Sequence, residues 1–381
     1  LIYLDNAATS WPKPAEVLSA FRSAMADAGG NPGRAGHRLS LEASRRIEGS
    51  RRVLARLLGL PDPTRIVFTL NTTHALNMAL KGSLRPGDHV ICGSMEHNSV
   101  ARPLHALERA GIEVTRVRSS PDDGLDPDRV KEALRVSTKA VVTCHASNVS
   151  GTVSPVRELG ALCRAHGVRF IVDAAQTAGS LEIDMEAMGI DLLAFPGHKG
   201  LLGPQGTGGL AVARGIRLET LVEGGTGTAS ESLDQPEDLP ERLESGTPNT
   251  PGIAALGAGA AFVLERGIGA IGAAEARHCA ILVDSLSAMA GIRVTGPSPG
   301  RPRASVVSIV MNGADCAELA AILDGSFGIA VRAGLHCAPA AHEELGTLPG
   351  GALRISPGAF TTDGDIEACL EAIEAIRRSF Q

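Results

Sequence analysis

Between residues 64 and 213, short apolar and β-branched runs alternate with longer stretches whose apolar positions recur at helical spacing. Arg65–Leu70, His89–Cys92, Glu113–Val117, Ala140–His145 and Arg169–Val172 read as strands. Thr73–Leu80, Val100–Ala110, Pro127–Leu134 and Val156–His166 read as the helices between them. Such alternation predicts an α/β layer with a mostly parallel sheet, because parallel neighbours must be joined by crossovers. Sheets of this kind collect functional groups beyond the C-terminal ends of their strands, which is where the polar clusters of this chain fall. From 223 to 252 the pattern gives way to glycine, acidic residues and proline, as in loops. Beyond Pro251 the Ala/Gly-rich Ile253–Leu264 has the character of a packed helix. Val306–Met311, Ala330–Arg332 and Leu353–Ser356 look like strands of a smaller α+β domain. The expected division is a large domain over 15–255, with 1–14 and 256–381 forming the small one.

Composition narrows the picture. A chain of 381 residues is too long for one compact core and comfortable for two. Aromatics are only 3%, so the cores must be built from Ala, Val, Leu and Ile. A net charge of -6 gives no electrostatic reason to expect nucleic acid or an anionic membrane as partner. No stretch approaches the roughly 18 apolar residues of a membrane span, and the opening residues show no secretory signal. Cys92, Cys144, Cys163, Cys279, Cys316, Cys337 and Cys369 are odd in number, dispersed and without a C-x-x-C pair. Neither a disulfide framework nor a zinc ribbon is expected, no metal site is expected, and a cytoplasmic protein with reduced thiols is.

Four clusters carry candidate chemistry. Phe195-Pro196-Gly197-His198-Lys199-Gly200 sets a lysine beside an apolar run, where it must reach solvent or be neutralised. A Schiff base to an aldehyde cofactor neutralises it, whereas an ordinary surface-loop lysine is the plain alternative. Ile171-Val172-Asp173 ends a hydrophobic strand in an acid. Pyridoxal phosphate needs a carboxylate against its ring nitrogen, and a helix cap or loop anchor is the competing use. Asp173 followed by Gly-His-Lys is more specific than either alone. Leu70-Asn71-Thr72-Thr73-His74 places hydroxyls and free N–H groups at a helix start, suited to a phosphate or simply to a threonine cap. Met95-Glu96-His97-Asn98 offers an imidazole that could lie on a cofactor ring or merely satisfy local hydrogen bonds.

Together with Leu4-Asp5-Asn6-Ala7-Ala8-Thr9, Ser147-Asn148-Val149-Ser150-Gly151-Thr152, Glu244-Ser245-Gly246-Thr247-Pro248-Asn249 and Val331-Arg332-Ala333-Gly334-Leu335-His336-Cys337-Ala338, these clusters resemble the cysteine desulfurases and selenocysteine lyases. These are enzymes of the class V aminotransferase fold, and the Cys337 segment is similar to the short active-site loop of the SUF-type, second group. The resemblance runs in order along nearly the whole chain. It implies the fold type I architecture of pyridoxal-phosphate transferases, with a large cofactor domain and a smaller α+β domain.

The resemblance also implies roles. Lys199 would hold pyridoxal 5′-phosphate and move protons, Asp173 would face the ring nitrogen, Gln176 the ring hydroxyl, and His97 would stack on the ring. Thr73 and His198 would hold the phosphate, with Thr247 supplied by the neighbouring subunit of a homodimer. Asn148 would lie beside ring and substrate, Arg354 would clamp the substrate carboxylate, and Arg332, Asn6 and Ala8 would line the mouth. Cys337 would take sulfur from L-cysteine as a persulfide, releasing L-alanine, before passing it to a protein acceptor. Its loop position beside His336 and five residues after Arg332 suits a reactive thiol, because positive neighbours favour the thiolate. Cys92, Cys144 and Cys369, inside periodic segments, read instead as buried structural thiols. Selenocysteine as substrate, another class V lyase or aminotransferase, and a non-catalytic scaffold that binds a sulfur carrier are the alternatives. Two positions depart from the family: Pro196 stands where a serine is common before Gly-His-Lys, and His74 where a glutamate is common. Proline donates no hydrogen bond, so Thr72 or water is expected to replace the missing phosphate contact.

Overall fold

A computed structural model describes residues 1–33, 36–228 and 230–380. Its centre is a seven-stranded sheet in the spatial order Ile66–Thr69, Gly208–Val212, Leu192–Pro196, Arg169–Asp173, Thr138–Cys144, His89–Gly93 and Glu113–Val117. All neighbouring pairs are parallel except the two made by Gly208–Val212, which runs against both its neighbours. The predicted strands and helices of this region are all present, with ends shifted by a few residues at most.

Alternate residues of the central strands enter two separate cores. Val141, Phe170, Val172, Leu193 and Phe195 pack on one face, against Leu54 and Leu58, Leu159 and Cys163, and Leu256 and Ala260. Ala140, Val142, Ile171, Leu192 and Ala194 pack on the other, against Leu76, Leu80, Val100 and Leu104. Helices therefore cover both faces, which is why these strands read as continuous apolar runs.

A second, antiparallel sheet has the order Arg332–Gly334, Ala352–Ile355, Val307–Met311 and Ile292–Thr295. The helices Ile268–Ser287, Cys316–Phe327 and Asp363–Ser379 supply Leu282, Leu323 and Ile373 to its core. The expected strand Ala330–Arg332 is divided: Ile329–Ala330 pairs in parallel with Ile2–Tyr3, whereas Arg332–Gly334 joins the antiparallel sheet. That first pairing carries Leu4 into the same core and fixes Asp5 near the end of Ala352–Ile355. The loop reading of 223–252 holds until Thr250, where the helix Thr250–Arg266 starts; Ala229 within that range lies outside the described residues. Among the described residues no single helix is long and apolar enough to cross a membrane.

Candidate active site

Five segments beyond the C-terminal edge of the large sheet meet two segments from the smaller one around a cavity of about 220 Å³. Ala8, Thr72, Thr73, His97, Asn148, Asp173, Gln176, His198, Lys199, Arg332, Cys337 and Arg354 all line it. With Ala8 from the N-terminal segment, residues from eight stretches of sequence are brought together beyond the strand ends.

Lys199 sits in the connection between the antiparallel strands Leu192–Pro196 and Gly208–Val212. That loop is stapled internally by Gly197 N–H to Thr207 O (2.8 Å), Gly203 N–H to Gly197 O (2.7 Å) and Leu202 N–H to Lys199 O (2.8 Å). Ser10 Oγ donates to Lys199 O at 2.9 Å, and Lys13 Nζ to His198 O at 3.0 Å. The amine is no free surface group: burial first, then the Arg354 charge, lowers Lys199 to about 8. Asp173 is 4% exposed, accepts from Ala175 N–H at 2.9 Å, and is raised by burial while Lys199 opposes the shift. It is thus both a loop anchor and a buried carboxyl facing the cavity.

His97 likewise serves twice. Its Nδ1 caps the helix Asn98–Glu108 by accepting Ser99 N–H at 3.0 Å, while the ring lines the cavity. Burial, then Lys199 and Arg332, lowers it to about 4, so it is neutral at physiological pH. The cap of the helix Thr72–Ser83 is Asn71, whose Oδ1 accepts from His74 N–H at 2.9 Å, and neither threonine has that task. Thr73 Oγ1 instead pairs with Ser99 Oγ at 2.7 Å. Thr72 Oγ1 and His198 Nδ1 are buried without a protein partner.

Arg354 is 1% exposed, donates to Asn148 O (3.0 Å) and Asp5 Oδ1 (2.9 Å), and keeps Nε unpartnered. Desolvation lowers its pKa and Asp5 opposes that shift. Cys337 is exposed, and both it and His336 have left-handed backbones, with φ of 58° and 48°. Such conformations cost about 1 kcal/mol or more per residue and persist only where the surroundings enforce them. Here Asn148 Nδ2 donates to His336 O (2.7 Å), Asn98 N–H to Cys337 O (2.8 Å), and His336 Nε2 meets Ala352 O (3.1 Å). Ala338 packs with Met95 and Val149, docking the loop on the large sheet. His336 is not the positive neighbour expected: burial lowers it to about 3, leaving Arg332 as the cation nearby in sequence.

Two expected residues lie elsewhere. Asn6 lines a smaller adjoining cavity, with Nδ2 on Ser356 O at 3.1 Å. Thr247 lines a separate cavity with Arg51, His74 and Glu244, and takes a 3.4 Å contact from Asn31 Nδ2. Sequence reasoning missed Asp5, Ser99 and Glu96. Glu96 is 4% exposed, accepts Cys144 N–H at 2.9 Å, and is pushed well up by burial and by neighbouring Asp173. Cys144 is buried as expected, yet it also touches the cavity.

Comparison with known proteins agrees with this geometry. The aminotransferase class-V family model matches residues 2–369. The chain belongs to the class V aminotransferase family. It is 35% identical over 381 residues to a protein of Methanothermobacter thermautotrophicus named probable cysteine desulfurase, covering 98% of this chain and 94% of that one. It is 33% identical to a cysteine desulfurase of Haloferax volcanii, covering 100% and 90%. The apo structure of a cysteine desulfurase from Thermococcus onnurineus superposes with a TM-score of 0.94 at 32% identity, covering 100% and 95%.

Class V aminotransferases of the desulfurase kind depend on pyridoxal 5′-phosphate, and the residues here fit that group. Thr72 Oγ1, at the start of the helix Thr72–Ser83, and His198 Nδ1, in the loop before Lys199, are buried polar atoms without a partner, as a bound phosphate would use. Asp173 and Lys199 share one desolvated wall, an acid for a ring nitrogen and an amine for an aldehyde. Pro196 lines the cavity without an N–H to offer, and the buried Thr72 hydroxyl stands ready in its neighbourhood.

Proposed function

We propose that this class V aminotransferase is a cysteine desulfurase that converts L-cysteine to L-alanine and takes the sulfur onto Cys337 as a persulfide. The observation that carries the reading is an exposed thiol, held in a strained and triply tethered loop, at the mouth of the cavity that encloses Lys199 and Asp173. Only sulfur or selenium chemistry gives such a thiol a direct task.

Lys199, His198, Thr72, Thr73, Asp173, Gln176 and His97 would hold pyridoxal phosphate, which supplies the electron sink. Arg354 binds the substrate carboxylate through its planar fork, oriented by Asp5 and Asn148. Lys199, with its amine held near neutrality, removes the proton from the substrate Cα and returns protons to the carbon skeleton. Neutral His97 would face the bound group without adding a positive charge. Cys337 attacks as thiolate: a bond forms from its Sγ to the substrate sulfur while the Cβ–S bond breaks. The electron pair of that bond goes to Cβ, which is protonated as L-alanine leaves, so one cysteine yields one alanine and one persulfide.

The active unit in this reading is a homodimer, because Thr247 lies away from the Lys199 cavity of its own chain and could reach such a cavity only on a second copy. Seven unpaired thiols support a reducing, cytoplasmic setting. A protein acceptor would collect the sulfur at exposed Cys337. The test is purified protein with pyridoxal phosphate and L-cysteine, assayed together for alanine and for persulfide mapped by mass spectrometry. Alanine with persulfide at Cys337 is expected, and Cys337→Ser should bind cofactor yet form neither. Unchanged alanine release by the serine variant would overturn the reading. Retention of activity on selenocysteine alone would turn it into a lyase.

A further inference from the structure

Behind the wall formed by Lys199 and Gln176 lies a second, smaller cavity of about 40 Å³. Glu275, on the helix Ile268–Ser287, lines it and is 8% exposed. Among the described residues no hydrogen bond or ion pair reaches its carboxyl. With no protein partner, the carboxyl depends on the cavity beside it for hydrogen bonds. The space beside it is large enough for a few waters, since each needs only about 10–15 Å³. The hydroxyls of Ser10, Ser180 and Ser305 give those waters polar partners.

We propose that Glu275 exchanges protons with the free amine of Lys199 through water in this cavity, serving as a second acid–base group behind the lysine. The inference rests on the assignment of Lys199 as the cofactor-binding, proton-moving lysine. In the step, the Lys199 ammonium gives one proton to the water chain and the Glu275 carboxylate takes one from it. An ammonium and a carboxylate become an amine and a carboxylic acid, so the charge of the buried site does not change.

The surroundings support the exchange. Burial raises Glu275 to about 8 and lowers Lys199 to about 8, so transfer between them is nearly balanced. Lys199 and Glu275 are the titratable residues of the cavity lining, and two more lie beside it. Cys279, one turn along the same helix, is pushed up to about 12 by burial and stays a thiol. Lys13, beyond Ser10 on the N-terminal segment, is lowered by burial to about 8 as well, but its Nζ is engaged with Ser10 Oγ at 2.7 Å and with His198 O, outside the cavity lining. The segment from Pro357 to Ala359 contributes no ionisable group.

The test uses Glu275→Gln, which keeps the shape and removes the proton site, and Ala359→Leu, which fills the cavity and leaves the carboxyl. The first readout is the rate at which apoenzyme recombines with pyridoxal phosphate across pH 6–9, a step that requires deprotonated Lys199 and no cysteine. The second is turnover of L-cysteine. Both variants should slow recombination and kcat about tenfold near neutrality, with cofactor affinity and KM within about twofold of wild type. Small acids such as formate should restore E275Q in proportion to their concentration and leave wild type unaffected. Wild-type rates in both variants at every pH, or a loss in E275Q that formate does not relieve, would overturn the inference. A relay signature in recombination without cysteine turnover would leave it standing and remove the desulfurase reading instead.

Discussion

Arg354 offers a sharp quantitative test of how substrate is held. The guanidinium is 1% exposed, with one terminal nitrogen on Asn148 O, the other on Asp5 Oδ1, and an unpartnered Nε. Arg354→Lys keeps the positive charge beside Asp5 but replaces a planar fork with a point donor on a shorter reach. One charge-assisted hydrogen bond to the substrate carboxylate is lost, worth about 1.5–3 kcal/mol. At about 1.4 kcal/mol per decade, kcat/KM should fall roughly 10- to 150-fold. The carboxylate is bound in ground and transition states alike, so the loss should appear in KM with kcat nearly kept. Steady-state kinetics with L-cysteine and with L-cysteine methyl ester read this directly. The ester has no carboxylate to clamp, so wild type and R354K should treat it within about twofold of each other. An unchanged KM for cysteine, or an equal loss on the ester, would refute the placement of Arg354 at the carboxylate.

Two further outcomes follow from buried charge. Arg51 and Glu244 form a bidentate pair at 2.9 and 3.0 Å, with Arg51 2% exposed and also on Glu48 at 3.1 Å, so Glu244→Gln, which leaves Arg51 one carboxylate, should cost about 1.5–3 kcal/mol in denaturant unfolding; a loss below about 0.5 kcal/mol would refute the reasoning. Acid stability should also decline. Burial lowers His97, His145 and His198 to about 4 and His336 to about 3, against 6.5 in an unfolded chain. Above pH 6.5 neither state binds these protons. Below it the unfolded chain binds them first, so stability falls as pH drops from about 6.5 towards 4. Calorimetric Tm measured across that range should show the decline, and His145→Gln should flatten it by about one proton; an unchanged slope in that variant would sink the argument.

Much of this architecture was legible because it is local. Glu113–Val117 and Val156–His166 have the predicted limits, since alternation and helical spacing are written in consecutive residues. The strand Gly208–Val212 was not foreseen: its glycines, Gly208 and Gly209, pack against the Asn71 backbone and the Phe195 ring, a cross-strand requirement that reads as loop in one dimension. The helix Arg38–Leu57 was also missed, and it carries the buried Arg51 whose partner is 193 residues away. In the site, Lys199, Asp173 and Cys337 were legible through their flanking residues. Asp5 was not, because its partner Arg354 is 349 residues distant and is reached only through long-range pairing, of Ile2–Tyr3 with Ile329–Ala330 and of Asp5 with Ser356. Glu96 was passed over beside His97, since nothing in sequence reveals that Cys144 N–H and Asp173 close around it.

The stapled loop around Lys199 has a mechanical consequence. Its carbonyl is held by Ser10 and Leu202, and the loop ends are closed by Gly197, Gly203 and Thr207, so the peptide is a fixed pivot. The only travel left to the amine is rotation about its own side-chain bonds. In the reaction proposed above, a displaced amine would stay within a short arc of where it began, and its return would be an intramolecular encounter at a high effective concentration. On that reading the lysine is a latch on a short arm, set to close without any refolding of the loop that carries it.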